Sequence, residues 1–311
     1  MTRTYRAHVG RLAMLGIVLA GCAVTPSEAP SSAIGSPAAA TLRPTPGGAS
    51  LPEFSHVYLI VLENEERSSI IGNPAAPYIN SLAGRYGLAT NYTAIGHPSQ
   101  PNYIALASGS TDGVTDDGNH DISARSIFDQ LDGSGRTWRV AAQNDRPGCN
   151  ASATASAGQD GPGTYARKHN PAISFTSISR DPTRCSRITD LHAFDPAAAN
   201  FTWIVPNLCN TMHDCPIATG DAWLASFLPG ILGSSAYKQA GLVLITFDEG
   251  TTNIGGGGQV ATLVISPLAK TGFVSAVAHD HYSLLRTIQA AWGLTCLAHT
   301  CAANDLREFF R

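Results

Sequence analysis

The sequence predicts an α/β fold with a mostly parallel central sheet and helices on both faces. Five short apolar or β-branched runs follow residue 53, at His56–Leu62, Arg139–Gln143, Phe201–Val205, Gly241–Phe247 and Val260–Ile265. Stretches with helical character lie between them, at Pro77–Tyr86, Gln100–Ala107, Ser123–Leu131, Asp221–Leu228 and Ser283–Trp292. Strands that alternate with helices are typical of a parallel sheet covered by helices.

The first 22 residues have the pattern of a bacterial export signal. Three arginines precede the apolar run Leu12–Ala20, which is too short to span a bilayer, since that takes about 20 apolar residues. The run ends in Leu19-Ala20-Gly21-Cys22, which resembles the lipobox of bacterial lipoproteins. We expect residues 1–21 to be a lipoprotein signal peptide and Cys22 to carry the lipid. The alternative is an ordinary signal peptide with an incidental cysteine nearby.

Residues 23–52 are predicted to be a tether. They contain six Pro, seven Ala, five Ser, three Thr and three Gly, and no aromatic residue. Such a segment cannot bury enough apolar surface to offset the entropy lost on ordering. The expected organisation is a lipidated cysteine with a disordered linker at 22–52 and one folded domain at 53–311. The domain would be exported and held at the membrane by the lipid, or secreted.

The composition is that of a globular protein without a cationic surface. Of the 311 residues, 43% are hydrophobic and 14% are charged, and the formal net charge is −3. The charged fraction lies below the roughly 25% of typical soluble domains. The three lysines, Lys168, Lys238 and Lys270, are scattered along the chain. We therefore expect no nucleic-acid partner, because nucleic-acid binding needs a basic patch.

Six cysteines follow Cys22, at positions 149, 185, 209, 215, 296 and 301. An even number in an exported chain predicts disulfides, and six cysteines allow fifteen pairings. Proximity favours Cys209–Cys215 and Cys296–Cys301, which leaves Cys149–Cys185. A zinc cluster is the competing interpretation, but no Cys-x-x-Cys spacing occurs in the chain.

Three predicted strands run directly into polar or acidic segments. These segments are Glu63-Asn64-Glu65-Glu66, Pro206-Asn207 with the later His213-Asp214, and Asp248-Glu249. Ligands bind beyond the carboxyl ends of parallel strands, where these side chains should meet. A divalent cation is the natural counter-charge for carboxylates crowded on one rim. We assign Glu63 and Asp248 to such a metal and interpret Glu65 and Glu66 as solvated loop carboxylates.

A candidate nucleophile lies in the segment His97-Pro98-Ser99-Gln100-Pro101-Asn102. Pro101 suits the first turn of a helix, so Ser99 falls at or beside the N-cap, where N–H groups favour an anion. An isolated serine in that place is usually only a cap. Beside His97 and the acidic strand ends, however, Ser99 favours phosphate or sulfate ester chemistry. The chain has no Gly-x-Ser-x-Gly elbow, and we interpret its Gly255–Gly258 run as a flexible hairpin or lid.

Several ordered motifs resemble the bacterial phosphoesterase family, which contains acid phosphatases and phospholipases C and belongs to the alkaline phosphatase superfamily. They are Glu63-Asn64, Pro98-Ser99-x-Pro101-Asn102, Tyr165-Ala-Arg-Lys-His169-Asn-Pro171 and Thr246-Phe-Asp248-Glu249. Met212-His213-Asp214 and Gly220-Asp221-Ala-Trp-Leu224 are similar to the acid phosphatases of mycobacteria within that family. The resemblance covers roughly residues 53–295 and implies an alkaline-phosphatase-like fold.

The resemblance implies a metal-assisted serine nucleophile. It places the nucleophile on Ser99, whose hydroxyl would also bind a divalent metal ion. Glu63, Asp248 and Glu249 would complete the metal shell. Coordination would activate a hydroxyl that is a weak nucleophile by itself. Neither the identity nor the number of metal ions follows from the sequence.

The resemblance also implies which residues surround the phosphate. Asn64, His169 and Asn102 are the implied substrate-binding residues. His97 and His281 are implied catalytic residues, since either imidazole could protonate the leaving group.

A second metal site is implied more weakly, at Asn207, His213 and Asp214. The mycobacterial pattern has Asp where this chain has Thr211. If that Asp is a ligand, a second metal would bind more weakly here or be absent.

The expected activity is that of an exported lipoprotein acid phosphatase that hydrolyses phosphomonoesters through a phosphoserine intermediate. The mycobacterial resemblance adds phosphoinositides as a substrate class. A phospholipase C-type phosphodiesterase uses the same core and is the first alternative. A non-catalytic lipoprotein that binds phosphorylated or glycan ligands is the alternative of another class. A sulfatase is disfavoured, because Tyr103 stands where the formylglycine pattern has Arg.

Overall fold

An eight-stranded sheet forms the centre of the protein. The computed structural model describes residues 50–144, 147–149 and 164–311. The predicted signal peptide, Cys22 and most of the predicted linker lie outside these residues. The strands are β1 (His56–Leu62), β2 (Gly87–Ala89), β3 (Tyr92–Thr93), β4 (Trp138–Ala142), β5 (Ile188–Asp190), β6 (Phe201–Val205), β7 (Gly241–Phe247), β8 (Thr262–Ile265), β9 (Val274–Ser275) and β10 (His279–Asp280). The central sheet has the order β5-β4-β6-β1-β7-β8-β2-β9, and β3 pairs with β10 in a separate two-stranded sheet.

The sheet is parallel apart from one strand. Strand β8 pairs antiparallel with both of its neighbours, β7 and β2, and every other pair in the sheet is parallel. Strands β1 and β7 are apolar runs that are buried along almost their whole length, as expected for strands covered on both faces. The predicted mostly parallel sheet is confirmed, and β1, β6 and β7 have the predicted bounds.

Nine helices of the described chain connect these strands. They are α1 (Arg67–Ile70), α2 (Pro77–Arg85), α3 (Ser99–Ser108), α4 (Ile127–Gly133), α5 (Thr176–Ser179), α6 (Pro182–Cys185), α7 (Ile217–Gly233), α8 (Ser235–Ala240) and α9 (His281–Ala291). Short 3-10 turns lie at Arg167–His169, Pro171–Ser174, Leu191–Ala193, Ala298–Cys301 and Arg307–Phe309.

The helices cover both faces of the sheet. On one face, Trp203 of β6 packs against Tyr103 of α3 and Phe128 of α4. Leu59 of β1 pairs with Trp203. Because successive side chains of a strand point to opposite faces, Tyr58 lies on the other face of the sheet. Tyr58 packs against Phe194, which contacts α7. Helix α3 also packs against α9, and α2 packs against α7, so each face carries its own group of helices.

The pairing of β1 with β7 places two predicted site residues side by side. Leu62 and Phe247 are register partners at the ends of these strands, and the backbone N–H of Asp248 donates to the Leu62 carbonyl at 2.9 Å. Glu63 and Asp248 therefore emerge together at the carboxyl edge of the sheet.

The three predicted disulfides are confirmed, at Cys149–Cys185, Cys209–Cys215 and Cys296–Cys301. Cys209–Cys215 closes a short loop after β6, and Cys296–Cys301 closes another after α9. Within residues 50–144, 147–149 and 164–311, we find no helix long and apolar enough to cross a membrane.

Candidate active site

Ser99 is the first residue of α3, and its hydroxyl faces two carboxylates. Its Oγ donates to Glu63 Oε2 at 3.1 Å and lies 3.4 Å from Glu249 Oε1. Every residue of α3 is buried, so the helix holds Ser99 against a packed interior. The next backbone N–H, that of Gln100, donates to Asp117 Oδ1 at 2.9 Å. The predicted position at a helix start is confirmed.

Glu63 is fully buried and surrounded by donors. Its Oε1 accepts a hydrogen bond from the Tyr103 hydroxyl and lies 3.0 Å from His169 Nε2. Burial by itself would raise the pKa of Glu63, but His169, Lys168 and Tyr103 outweigh burial and hold that pKa at about 2. The carboxylate is thus charged and available as an anionic ligand beside Ser99.

Asp248 is also fully buried, and one of its oxygens is unsatisfied. Oδ1 accepts from the backbone N–H of Asn64 at 3.1 Å, whereas Oδ2 has no hydrogen-bond partner among the described residues. Burial raises the pKa of Asp248 well above its usual value, and the neighbouring charges of Glu63 and Glu249 add to the shift. A bound cation that replaces the proton would stabilise the charged form of such a carboxyl group.

The groups around Ser99 suit a hard divalent cation. The carboxyl groups of Glu63 and Glu249 face the Ser99 hydroxyl, and the Asp248 carboxyl interacts electrostatically with both. All are oxygen donors of the kind that magnesium, manganese or calcium prefers. Across the described residues, no three His, Cys, Asp or Glu side chains are placed to hold a metal ion by themselves. A cation bound by Glu63 and Asp248 would therefore need further oxygens, which Ser99, Asn64 or water can supply. Magnesium commonly binds to one or two carboxylates plus water in this way.

His97 and Glu249 form a pair beside Ser99. His97 Nδ1 lies 2.6 Å from Glu249 Oε2, and His97 Nε2 donates to the Thr252 carbonyl at 2.9 Å. Burial lowers the pKa of His97, but the Thr252 carbonyl and Glu249 outweigh burial, so the net pKa lies above its usual value. Burial raises the pKa of Glu249, against the opposing effect of His97. The imidazole is 35% exposed and can reach a substrate.

His281 occupies a different place from the one expected of a catalytic acid. It is fully buried, its Nε2 donates to the backbone carbonyl of Asp248 at 2.6 Å, and its Nδ1 accepts from the Tyr92 hydroxyl at 3.1 Å. Burial lowers the pKa of His281 to about 4. The ring is neutral and both nitrogens are engaged. It therefore braces the Asp248 backbone, and the structure does not place it as a proton donor to substrate.

Asn102 also differs from its expected contact with substrate. Its Oδ1 accepts from the N–H groups of Ile95 and Gly96, and its Nδ2 donates to the carbonyls of Gly96 and Pro98. All four hydrogen-bonding positions of the amide are used. Asn102 thus holds the turn that carries His97 and Ser99.

Asn64 and His169 have free polar atoms at the site. Asn64 has a positive φ of 59°, and its side-chain amide makes no hydrogen bond within the described chain. The His169 ring is stacked on Tyr103, with centroids 5.0 Å apart, and neither ring nitrogen has a hydrogen bond of good geometry to any described residue. His169 Nε2 lies 3.0 Å from Glu63 Oε1, so the Asn64 amide and His169 Nδ1 are the atoms left to bind a phosphoryl oxygen.

The residues expected at a second metal site lie in the loop after β6, and their side chains bind other residues of that loop. His213 Nδ1 lies 2.6 Å from Asp214 Oδ1, and Asn207 Oδ1 accepts from the Asn210 N–H. In the described structure, no hydrogen bond or ion pair joins them to Glu63, Asp248 or Glu249. Thr211, which replaces the expected Asp, uses its backbone carbonyl to accept from the Glu63 N–H at 2.9 Å.

Three residues at the site were not singled out by sequence reasoning. Tyr103 lies four residues after Ser99, a spacing that puts both on one helix face, and this could have pointed to it. Lys168 precedes His169 in a motif and pairs with Asp117, with Nζ to Oδ2 at 2.9 Å. No sequence signal connects Asp117 to Ser99, because they meet only through the Gln100 backbone.

The interpretation of Glu66 as a solvated loop carboxylate is wrong. Glu66 is buried and accepts hydrogen bonds from the loop at residues 251–259. The glycine run packs on the backbone of residues 93–96: a Cβ on Gly256 would lie 2.2 Å from the Ile95 carbonyl oxygen, and one on Gly257 would lie 2.6 Å from that of Gly96. The glycines permit this close approach, so the run lies directly against the chain before His97, and its mobility stays a prediction.

The model of the phosphoesterase family matches residues 69–295, more than half of the chain. The chain belongs to the phosphoesterase family. It is 32% identical to a phosphatidylinositol-3-phosphatase of Mycobacterium tuberculosis, over 100% of this chain and 96% of the relative. It is also 32% identical to a phosphate-repressible acid phosphatase of Penicillium chrysogenum, over 98% of this chain and 74% of the relative. The protein is therefore a phosphoric ester hydrolase.

A solved structure supports the fold assignment. A protein of the alkaline phosphatase superfamily from Vibrio parahaemolyticus aligns with a TM-score of 0.53 at 12% identity, covering 79% of this chain and 68% of that chain. At this identity the similarity concerns the fold alone, and it confirms the predicted alkaline-phosphatase-like architecture.

Proposed function

We propose that the protein is an acid phosphatase in which Ser99 attacks the phosphorus of a phosphomonoester. The observation that carries the proposal is the contact of the Ser99 hydroxyl with Glu63 and Glu249, at 3.1 and 3.4 Å, at the start of a buried helix. A serine hydroxyl is a weak nucleophile and needs such a partner to take its proton. The acid phosphatase among the relatives supports the reaction class.

The reaction would proceed in two steps. In the first, Ser99 Oγ bonds to phosphorus while its proton passes to Glu249. Once protonated, Glu249 would release the Nδ1–H of His97, and that proton would pass to the leaving oxygen as its bond to phosphorus breaks. In the second, water gives a proton back to His97 and attacks the phosphoserine, and Ser99 Oγ leaves with the proton from Glu249. Asn64 and His169 would donate hydrogen bonds to the phosphoryl oxygens, where most of the stabilisation arises.

A divalent metal ion belongs to this proposal. Glu63 and Asp248 would hold it together with the Ser99 hydroxyl and further oxygens from Asn64 or water, and when bound it would neutralise charge on the phosphoryl oxygens and lower the pKa of the hydroxyl. The unsatisfied Asp248 Oδ2 supports a ligand at this point. Metal content after dialysis, measured by mass spectrometry for wild type and Asp248→Asn, tests it. Equal metal content in the two proteins contradicts the assignment.

The test of the reaction uses p-nitrophenyl phosphate and bis-p-nitrophenyl phosphate, with wild type and Ser99→Ala. Ser108→Ala is a matched control, since Ser108 is a buried serine at the other end of the same helix. We expect monoester turnover that is lost in Ser99→Ala and kept in Ser108→Ala, and that falls with a chelator. Turnover that persists in Ser99→Ala contradicts the mechanism. Diester turnover alone would replace the phosphatase with a phospholipase C-type enzyme, and no turnover would favour a ligand-binding lipoprotein.

Phosphoinositides are the proposed natural substrates. The support is the relative named phosphatidylinositol-3-phosphatase, which aligns over nearly its whole length. Release of phosphate from a short-chain phosphatidylinositol 3-phosphate, compared with glycerol phosphate at equal concentration, tests the proposal. An equal or lower kcat/KM for the phosphoinositide contradicts it.

Export and lipid anchoring at Cys22 are part of the same proposal. Three disulfides support an oxidising compartment. The experiment is metabolic labelling with a radioactive fatty acid during expression of the full chain in a bacterial host. We expect label in wild type and none in Cys22→Ser, together with release of the variant from the membrane fraction. An unlabelled wild-type protein contradicts lipidation.

A further inference from the structure

Residues 251–259 form a loop that we call the clamp loop, and it lies against the turn that carries His97. Gly250 N–H donates to the Gly257 carbonyl at 2.7 Å, which closes the loop on itself. Ala94 N–H donates to the Gly258 carbonyl at 3.0 Å, which ties it to the chain before His97. The clamp loop is thus held at its base and along one side.

Glu66 is the side chain that holds the clamp loop from beneath. Its Oε2 accepts from the N–H groups of Thr251 and Thr252, at 2.9 and 3.3 Å, and its Oε1 accepts from the Gln259 N–H at 2.9 Å. The Thr252 hydroxyl donates to the same carboxylate at 3.2 Å. A Cβ on Gly250 would lie 2.3 Å from Glu66 Oε2, so the backbone closes tightly over the carboxylate.

The clamp loop in turn fixes the His97 ring. The Thr252 carbonyl accepts from His97 Nε2 at 2.9 Å, so the residue whose N–H binds Glu66 also binds His97 through its C=O. The other ring nitrogen, Nδ1, contacts Glu249. The ring is therefore oriented by two acceptors, and the position of one of them depends on Glu66.

We propose that Glu66 is a positioning residue, which acts through the clamp loop to aim His97 at the leaving group. The proposal rests on the proposed phosphatase reaction, and Glu66 itself touches neither Ser99 nor substrate in it. The arrangement resembles the support that metal and catalytic ligands receive from the residues behind them, whose loss often costs about 10–100-fold in activity. Misplacement of a catalytic group by about 1 Å can cost a similar factor.

The substitution Glu66→Gln disturbs this arrangement without deleting the side chain. Both carboxylate oxygens accept from N–H groups, so the amide NH₂ of Gln must face a donor on one side. The neighbouring Glu65→Gln is the matched control, because Glu65 is only half-buried and makes no hydrogen bond or ion pair with the clamp loop within the described chain. Thr252→Val is a milder second variant, since it removes the hydroxyl donor and keeps the carbonyl that binds His97.

The kinetic test compares two substrates, because a proton donor matters more for a poor leaving group. General acid catalysis contributes about 10²–10⁴-fold. We expect Glu66→Gln to lower kcat for phenyl phosphate about tenfold more than kcat for p-nitrophenyl phosphate, with a smaller effect on KM. In a His97→Ala background the same substitution should have no further effect, which a double-mutant cycle measures. Glu65→Gln should leave both substrates unaffected.

A second readout is independent of turnover. Diethyl pyrocarbonate modifies accessible imidazoles, and peptide mass spectrometry reports the rate at His97. We expect faster modification of His97 in Glu66→Gln, an intermediate rate in Thr252→Val and an unchanged rate in Glu65→Gln. If wild type hydrolyses neither ester, the phosphatase proposal fails, while the modification rates still decide whether Glu66 controls His97.

The proposal is overturned by any of three results. In the first, Glu66→Gln lowers kcat equally for both esters. In the second, it lowers kcat by the same factor in the His97→Ala background as in wild type. In the third, it leaves the modification rate of His97 unchanged. If Glu66→Gln does not fold, the same comparisons are made with Thr252→Val, which keeps the carboxylate.

Discussion

Substitution of Tyr103 by Phe tests how strongly Glu63 depends on its buried donor. Tyr103 is almost completely buried, and its hydroxyl donates to Glu63 Oε1. Burial raises the pKa of Tyr103 well above its usual value, and Glu63 adds to the shift, so the hydroxyl keeps its proton and acts as a donor. The stacking of the ring on His169 is preserved in Phe, and the substitution therefore removes one hydrogen bond to a charged group.

The expected cost follows from the type of hydrogen bond. Bonds to charged groups contribute about 1.5–3 kcal/mol, against about 0.5–1.5 kcal/mol for neutral pairs. For a domain of this size that corresponds to a fall in Tm of about 3–10 °C. Because Tyr103 orients a proposed metal ligand, we also expect kcat/KM for p-nitrophenyl phosphate to fall about 10–100-fold.

Tyr92→Phe is the matched control. Tyr92 is buried, and its hydroxyl donates to His281 Nδ1 at 3.1 Å. The Tyr92→Phe variant therefore loses a hydrogen bond between two neutral groups. Thermal unfolding by circular dichroism and steady-state kinetics are measured on both variants at pH 7. The reasoning is refuted if Tyr103→Phe costs no more than Tyr92→Phe in both assays.

Three further predictions address other parts of the structure. His281 donates to the carbonyl of Asp248, and Gln at this position keeps a donor whereas Ala does not. We therefore expect kcat of His281→Gln to be at least about tenfold higher than kcat of His281→Ala. Equal kcat in the two variants contradicts this role. Asp221 accepts from two backbone N–H groups at the start of α2, so Asp221→Ala should lower the free energy of unfolding in urea by about 2 kcal/mol, and a loss below about 0.5 kcal/mol would falsify the cap. Burial raises the pKa of Glu308, but its hydrogen bonds to His279, Ser275 and the backbone, together with the charge of His279, outweigh burial and lower the net pKa. Its contribution to stability is therefore full above pH 4.5 and is lost as pH falls through the folded pKa, so Glu308→Gln should lower Tm at pH 7 but much less near pH 3.

The strand ends were the most predictable part of the site. Apolar runs that are buried on both faces reveal central parallel strands, and residues directly after such strands must meet at one edge of the sheet. For Glu63 and Asp248 this reasoning needs only the order of residues along the chain, and the register of Leu62 with Phe247 confirms it. The short strands β2, β5 and β9 were missed, because two or three residues carry no periodic signal.

The roles of residues whose polar atoms bind distant backbone groups could not be predicted from the sequence. A family motif identifies which residue is present, but not what its side chain contacts. His281 and Asn102 both lie in motif positions, and each is engaged by backbone groups, of Asp248 and of residues 95–98 respectively. Whether a motif residue faces the substrate or supports another residue depends on tertiary hydrogen bonds that span the fold.

Glu63 and Glu66 demonstrate the same limit within one segment. Both follow β1, both are buried, and they are the same residue type three positions apart. Glu63 meets side-chain donors and the Ser99 hydroxyl, so its carboxylate lies in the proposed reactive centre. Glu66 meets backbone N–H groups of the clamp loop, which satisfy its oxygens and leave none for a ligand. A buried carboxylate can bind a ligand only where the donors around it can be replaced or moved. Backbone N–H groups that are fixed in a closed loop cannot be replaced or moved in this way. That difference is why we propose a chemical role for Glu63 and a positioning role for Glu66.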